Sequence, residues 1–445
     1  GAPPRVEAVI DQTPPATTSM RSFVIVWFGQ LVSLTGTGLT AFGLQFFIYI
    51  ETGSVTRVAL IALAYSLPAV VLAPIAGSIV DRSDRRVVML FADVVAGAAT
   101  LSLLWALSFG PLPFWLICTA TSVGSAANAF QEPAWLASIP VLVPRAQLGR
   151  ANGMVQLNFG LAVVIAPALA GALLAGFGLR AVLVLDVLTF AVGIATLAAV
   201  RFPQYERDET PGRSVRSDSG FAWRYLRERP GLLWLLWIYS GVNFMLSMTN
   251  ILIIPLVVSF ATEAAAGVVL SISGAGAVVG SLILSAYGEP KRLVPTIMVG
   301  IAVSGLLTAL AGIRASLVVI TIPTVLVLLG VPIINGASQV IWQTKVTEGA
   351  QGRVFSLRRM IGQAISPIAI LLAGPLADEV FEPALAAGGS LADSVGSIIG
   401  TGAGRGIGAL YIVAGLFVFV LGVIGWLLPH VRNIETELPD LAGRD

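Results

Sequence analysis

The 445-residue sequence predicts an all-α polytopic membrane protein, with twelve transmembrane helices arranged as two pseudo-symmetric six-helix bundles. Three observations predict it: apolar runs long enough to cross a bilayer, basic residues gathered in alternate loops, and landmarks that recur at a near-constant offset. Composition sets the class. The chain is 56% hydrophobic and 11% charged, where soluble domains are about 25% charged. One cysteine, Cys118, leaves no disulfide framework, and one histidine, His430, excludes His-based triads and most metal sites. No cofactor and no metal is expected, and no cluster of catalytic groups marks an enzyme.

Residues 1–20, rich in Pro and Thr, are expected to form a disordered tail, with no cleavable signal peptide ahead of the first span. Apolar runs follow at 22–50, 56–80, 86–109, 112–140, 152–177 and 180–200, giving an N-terminal bundle over 21–200. Polar residues 201–230, with Pro203, Pro211 and Gly212, read as a linker. Its end places Phe221, Trp223, Tyr225 and Leu226 among Arg224, Arg227 and Arg229. That is the pattern of a short amphipathic helix on the inner leaflet, in contact with anionic membrane lipids rather than nucleic acid. Six further runs at 232–260, 264–287, 293–313, 316–342, 354–377 and 406–429 give a C-terminal bundle over 231–430, and 431–445 form a tail. Each run has about 20–29 residues, enough for a tilted helix across about 30 Å.

Charge predicts the orientation. With both termini inside, the inner segments hold 22 of the 26 Lys and Arg, and the outer side keeps only Arg57, Arg180, Arg314 and Arg405. Basic residues favour the cytoplasmic side, so a multi-pass protein of the cytoplasmic (inner) membrane with both termini cytoplasmic is expected. The halves repeat. Gly77-Ser78 recurs as Gly280-Ser281, 203 residues on; Gln147-Leu-Gly-Arg150 recurs as Gln351-Gly-Arg353, and Ile165-Ala-Pro167 as Ile365-Ser-Pro367.

Between the second and third runs, Gly77-Ser78-Ile79-Val80-Asp81-Arg82-Ser83-Asp84-Arg85-Arg86 packs five charges into six positions. Such a knot cannot lie in hydrocarbon and must be a tight loop at the membrane surface. It resembles the loop signature of major facilitator superfamily transporters: a Gly, then Asp-Arg, then a basic pair. Asp84 stands where that signature has Gly. The resemblance implies two halves that rock about a midplane site. It also implies a cytoplasmic latch of Gly77, Asp81, Arg82, Arg85, Arg86 and Glu132, with Glu132 pairing with Arg85 or carrying a proton. Further stretches resemble the drug:proton antiporter branch that includes macrolide and enterobactin-type siderophore exporters. They are Thr52-Gly53-Ser54, Glu132-Pro133-Ala134, Ile139-Pro140-Val-Leu-Val-Pro144, Ala151-Asn152-Gly153 and Gly402-Ala-Gly404-Arg405-Gly406. In the fifth run, Ala166-Pro167-Ala-Leu-Ala-Gly171 is similar to a small-residue variant of the antiporter signature. The same residues also serve as an ordinary small-residue helix interface with a proline kink.

An ionised carboxylate at midplane costs roughly 2.5–3.5 kcal/mol, so each needs a partner, water or a proton. Asp186 in the sixth run is a candidate proton carrier, or a capped residue near the outer mouth. Asp93 in the third run is expected to pair with the basic loop, with proton transport as the alternative. Glu51, Arg57, Asp378 and Glu379 read as solvated. Runs seven to ten lack a mid-span carboxylate, so any proton site belongs to the first half.

By family, helices one, four, seven and ten face the cavity. Their polar and aromatic residues are Trp27, Gln30, Gln45, Phe46, Asn128, Phe130, Gln131, Asn243, Phe244, Asn250, Asn335 and Gln339. A wide apolar pocket with amide handles suits a bulky amphipathic small molecule, though each residue taken singly also fits helix packing. No phosphate-binding Gly-Lys-Ser/Thr is present, and Gly402–Gly406 follows no strand. The resulting expectation is a monomeric secondary transporter that exports drug-, macrolide- or siderophore-like molecules by alternating access, with protons as coupling ion. A lipid or lysolipid flippase, or an importer of a specific metabolite, would use the same fold.

Overall fold

Local capping chemistry sets the helix ends in the computed structural model, which describes residues 19–144, 147–200, 202, 215–287 and 290–437. Most of the expected N-terminal tail and of the linker lie outside the described residues, as do positions after 437. Ser19 opens α1 (Met20–Thr52) by accepting the Ser22 N–H on its Oγ (3.2 Å), and Gly53, at φ 62°, ends it. Ser54 opens α2 (Val55–Arg82). Asp84 accepts the N–H groups of Arg86 (2.9 Å) and Val87 (3.4 Å) on Oδ1 and so caps α3 (Arg85–Leu107). The residue that departs from the loop signature is thus a helix cap.

After α4 (Phe114–Leu142), α5 (Leu148–Ala199) runs for 52 residues and holds two of the predicted spans. They meet at Gly178, whose φ of 75° and ψ of 178° are open to glycine and closed to residues with a Cβ. The amphipathic α6 (Val215–Arg227) ends the linker. The second half holds α7 (Pro230–Val258), α8 (Glu263–Tyr287), α9 (Leu293–Ala311), α10 (Leu317–Lys345) and α11 (Glu348–Pro375). α11 continues through a π-helical turn (Leu376–Phe381) into α12 (Glu382–Leu385), beyond the end predicted for that span. Short α13 (Gly396–Ile399) precedes α14 (Arg405–Leu427), and α15 (Pro429–Arg432) and α16 (Ile434–Glu437) follow it. Ten helices among the described residues are long and apolar enough to cross a membrane. Dividing α5 at Gly178 and adding α4, whose Asn128, Gln131 and Glu132 lower its hydropathy, gives the twelve-span arrangement.

The packing repeats between halves. α2 lies against α4 as α8 lies against α10, α3 against α4 as α9 against α10, and α1 against α5 as α7 against α11 and α14. The amphipathic α6 buries Ala222, Tyr225 and Leu226 against the second half, and Arg229 lies 3.7 Å over the Tyr225 ring. Large side chains such as Phe91, Trp105, Phe109, Trp115 and Phe177 face outward. That is the expected exterior of a protein solvated by lipid, with aromatic rings gathered near the helix ends.

Three hydrophobic clusters determine the shape. At the end that carries the 52–54 turn, residues of both halves share one core, from Leu44, Phe46 and Val58 to Leu252, Ile254, Ala373 and Leu410. At the opposite, arginine-rich end, each half has its own. Phe23, Val80, Trp135, Leu142 and Leu197 form one, and Leu232, Ile297, Trp342, Val354 and Ile434 form the other. The halves are therefore joined at one end and separate at the other.

Candidate functional site

The join between halves is made by two helix pairs. α5 meets α8 along Pro167 and Gly171. A Cβ on Gly171 would sit 2.5 Å from the Glu263 carbonyl oxygen, and one on Gly267 would sit 2.4 Å from that of Pro167. Backbones touch directly there, and the Ala168 N–H donates to Ser271 Oγ (3.0 Å). The Ala166, Pro167 and Gly171 segment is therefore an inter-half contact, with Ala166 buried. The second pair is α2 with α11, where Asp378 accepts hydrogen bonds from Ser54 Oγ, Val55 N–H and Thr56 N–H (2.8–3.0 Å). Asp378 was expected to be solvated; instead it caps a helix of the other half. Glu379 and Glu51 are exposed, and Arg57, also exposed, lies 5.7 Å over the Phe114 ring.

At the arginine-rich end, α7, α10 and α11 of the second half line a cavity of about 700 Å³. Asn243, Asn335 and Gln339 line it. Tyr239, Ser240, Trp342, Phe355, Arg358 and Arg359, which no sequence motif singles out, line it too. Of the other expected cavity residues, Phe46 is wholly buried in the shared core and Phe244 packs against it. Trp27 Nε1 donates to the Met154 carbonyl (2.7 Å), and Gln45 donates to Ala41 in its own helix (3.1 Å). Asn250 is exposed and Phe130 is half-buried, both away from this cavity.

The first half holds two polar layers in its interior. In one, Asp93 (2% exposed) accepts hydrogen bonds on Oδ1 from Gln131 Nε2 (2.8 Å) and Ser33 Oγ (3.4 Å). Gln131 Nε2 also donates to Gln30 Oε1 (3.2 Å), and Asp93 Oδ2 has no hydrogen-bond partner among the described residues. The expected pairing of Asp93 with the basic loop is absent: amide and hydroxyl donors of α1 and α4 reach it first. In the other layer, Asp186 (1% exposed) accepts from Thr40 Oγ1 (2.6 Å) and Thr100 Oγ1 (2.9 Å) on Oδ2. A hollow of about 40 Å³ lies beside it, lined also by Asn128 and Tyr65. Ser33 and Thr40, Asp93 and Thr100, and Asp186 and Gly193 are each seven residues apart. The layers therefore lie two helical turns, about 10 Å, from one another. Neither carboxylate has an Arg or Lys within 4.0 Å among the described residues.

The basic loop ties helix ends together. Arg85 Nη1 donates to the Ala137 carbonyl of α4 (2.6 Å), and Arg86 donates to the carbonyls of Leu197 (2.9 Å) and Ala198 (2.7 Å). Those last carbonyls lie at the C-terminus of α5, where no helical donor follows and a cation is favoured. Glu132 is exposed on α4. Gly77 lies on α2, and the side chains of Asp81 and Arg82 lie outside the described residues.

The family model of the Major Facilitator Superfamily matches residues 26–370. The chain belongs to that superfamily. It is 28% identical over 365 residues to "Macrolide efflux protein A" of Streptococcus pyogenes, a match that covers 80% of this chain and 90% of that protein. It is 23% identical over 443 residues to "Multidrug efflux pump Tap" of Mycolicibacterium fortuitum, covering 94% and 98%. The fold is similar to that of a bacterial homologue of the human lysosomal transporter Spinster, with a TM-score of 0.70 at 14% identity, over 95% of this chain and 98% of that one. A bacterial homologue of the iron transporter ferroportin gives a TM-score of 0.67, also at 14% identity, over 91% and 99%. As a superfamily member the chain is an integral, multi-pass transporter of small molecules and not an enzyme. One signal could have located Arg358: it stands five residues inside an apolar run, and ionisable residues within spans mark functional sites.

Proposed function

We propose that this transporter exports bulky amphipathic small molecules across the cytoplasmic membrane in exchange for protons, by alternating access. The observation that carries the reading is the single shared core at one end and the two separate cores at the other. With the arginine-rich end placed in the cytoplasm by its basic residues, this is a cytoplasm-open state, and the 700 Å³ cavity receives cargo from inside. The relatives named for macrolide and multidrug efflux support the outward direction.

The coupling sites are Asp93 and Asp186. Each is buried, held by neutral donors and, among the described residues, without an ion pair, the arrangement of a carboxyl group that takes up and gives back a proton. Glu132, exposed on α4, is a third candidate. Arg85 and Arg86, with Gly77, Asp81, Arg82 and Glu132, form the latch that closes the cytoplasmic end in the opposite state. The bundles over 21–200 and 231–430 move as units about the linker, in a monomer surrounded by membrane lipids.

The test is accumulation of amphipathic dyes and drugs in efflux-deficient cells, with and without the protein, under an imposed and then a collapsed proton gradient. Lower accumulation that disappears on collapse supports the reading. Accumulation that stays lower after collapse refutes proton coupling, and higher accumulation refutes export.

A further inference from the structure

The cavity lining carries positive charge with no counter-charge among the described residues. Arg358 on α11 is half-buried and lines the cavity together with the exposed Arg359. Its guanidinium is held in place: Nη1 donates to Gln339 Oε1 (3.1 Å) and Nη2 to Ser338 Oγ (3.3 Å). The guanidinium carbon lies 5.0 Å from the centre of the Trp342 ring and 5.9 Å from that of Tyr239. These bonds use two of the five N–H donors of a guanidinium. Among the described residues no carboxylate comes within 4.0 Å of Arg358 or Arg359. Of the carboxylates proposed for the transport path, Asp93 and Asp186 are buried inside the other half and hydrogen-bonded there, and Glu132, exposed on α4, forms no ion pair with Arg358 or Arg359.

A partly desolvated guanidinium without a counter-ion is unfavourable, and an anion that docks on it recovers the lost interaction. The planar fork matches a carboxylate or phosphate, and Tyr239, Trp342 and Phe355 offer rings to an apolar body. We propose that the cavity binds an acidic amphiphile, with its oxyanion on Arg358 and its body against these rings. The inference rests on the transport reading for the identity of the cavity and adds the charge of the cargo. A membrane potential negative inside favours outward movement of such an anion.

The experiment uses the purified full chain in phosphatidylcholine nanodiscs and one naphthalene-bearing alkyl probe in three forms: carboxylate, methyl ester and amine. Binding is read by probe fluorescence. The carboxylate is expected to bind at least about tenfold tighter than the other forms. Arg358→Gln should lower carboxylate affinity by about tenfold or more, far beyond its effect on the ester, and Arg358→Lys should retain part of the preference. Adding phosphatidylglycerol distinguishes the source of the anion: displacement of the carboxylate assigns a lipid phosphate, and continued binding assigns a soluble acid. Equal binding of ester or amine to the unaltered protein overturns the inference and needs no variant that must fold. An unchanged carboxylate preference in Arg358→Gln also overturns it. Transport in proteoliposomes separates the two readings. Export of the amine alone removes the acidic cargo and leaves the exporter, whereas carboxylate binding with no transport keeps the charge assignment and removes the exporter.

Discussion

Asp378 of the π-helical turn after α11 accepts the Ser54 Oγ–H at 2.9 Å, and through the N–H groups of Val55 and Thr56 it closes the first turn of α2 from the other half of the molecule. A carboxylate at a helix N-terminus is favoured by the unsatisfied N–H groups and the helix dipole. Here the cap also spans the interface between the two halves, the one that parts in the proposed alternating-access cycle. Beside it, a Cβ on Gly374 would sit 2.5 Å from Thr56 Cα, so the two helices meet backbone to backbone.

Asp378→Ala should therefore shift the protein away from the state described. Losing hydrogen bonds to a charged group costs about 1.5–3 kcal/mol, a shift of roughly ten- to a hundredfold in the ratio of the two states. Spin labels on the outward faces of α2 and α11 near this contact would report it as a longer distance population. An unchanged distribution would show that α5 and α8 alone hold this end closed.

The α5–α8 contact gives a second prediction. Gly171→Ala puts a methyl group 2.5 Å from the Glu263 carbonyl oxygen, and backbone must move to admit it. Overpacking of this kind costs about 1–3 kcal/mol. A lower thermal midpoint in detergent and a faster proton leak in proteoliposomes are expected. A variant with the original midpoint and no leak would contradict the tight seal.

Asp84 allows a prediction that separates capping from signature. Asp84→Ala should lower stability by about 1 kcal/mol, whereas Asp84→Gly, the residue that the loop signature carries there, should cost only a few tenths, roughly 0.3 kcal/mol. Chemical denaturation of the two variants side by side checks it. Equal losses would mean that the Asp84 carboxylate acts elsewhere than at Arg86 and Val87.

Asp93 and Asp186 should separate coupling from movement. Asn at either position keeps a hydrogen-bond acceptor for Gln131 or for Thr40 and Thr100 but cannot exchange a proton. Each variant should still exchange labelled for unlabelled substrate and should lose the response to an imposed pH gradient. Gradient-driven accumulation at the original rate in both would remove these residues from the coupling path.

What could be read from sequence follows the range of the interaction. The apolar spans come from local hydropathy, and the structure has them; the tight loop expected over 77–86 shrinks to Ser83 and Asp84, because α2 continues to Arg82 and the Asp84 cap starts α3 at Arg85. Asp378 was read as solvated because its three donors lie more than 320 residues earlier in the chain. Asp93 was given to the nearby arginines because nothing local announces that Gln131 of α4 and Ser33 of α1 turn toward it. The mutual spacing of Ser33 and Thr40, and of Asp93 and Thr100, was visible, but its meaning needed the packing of α1 against α3 and α5. Counting basic residues by side puts Arg358 among the 22 of the inner surface, whereas its neighbours Gln339, Ser338 and Trp342 place it in the cavity wall.

The most direct measurement of the central claim is substrate uptake into everted membrane vesicles, in which the cytoplasmic end faces the medium, driven by an imposed inward-acid gradient. The account predicts uptake of an amphipathic probe that rises with the gradient, stops on adding a protonophore, and is absent in the Asp93→Asn/Asp186→Asn double variant although that variant still exchanges substrate. Uptake that ignores the gradient, or that the double variant performs as well as the unaltered protein, would contradict proton-driven export through these two carboxylates.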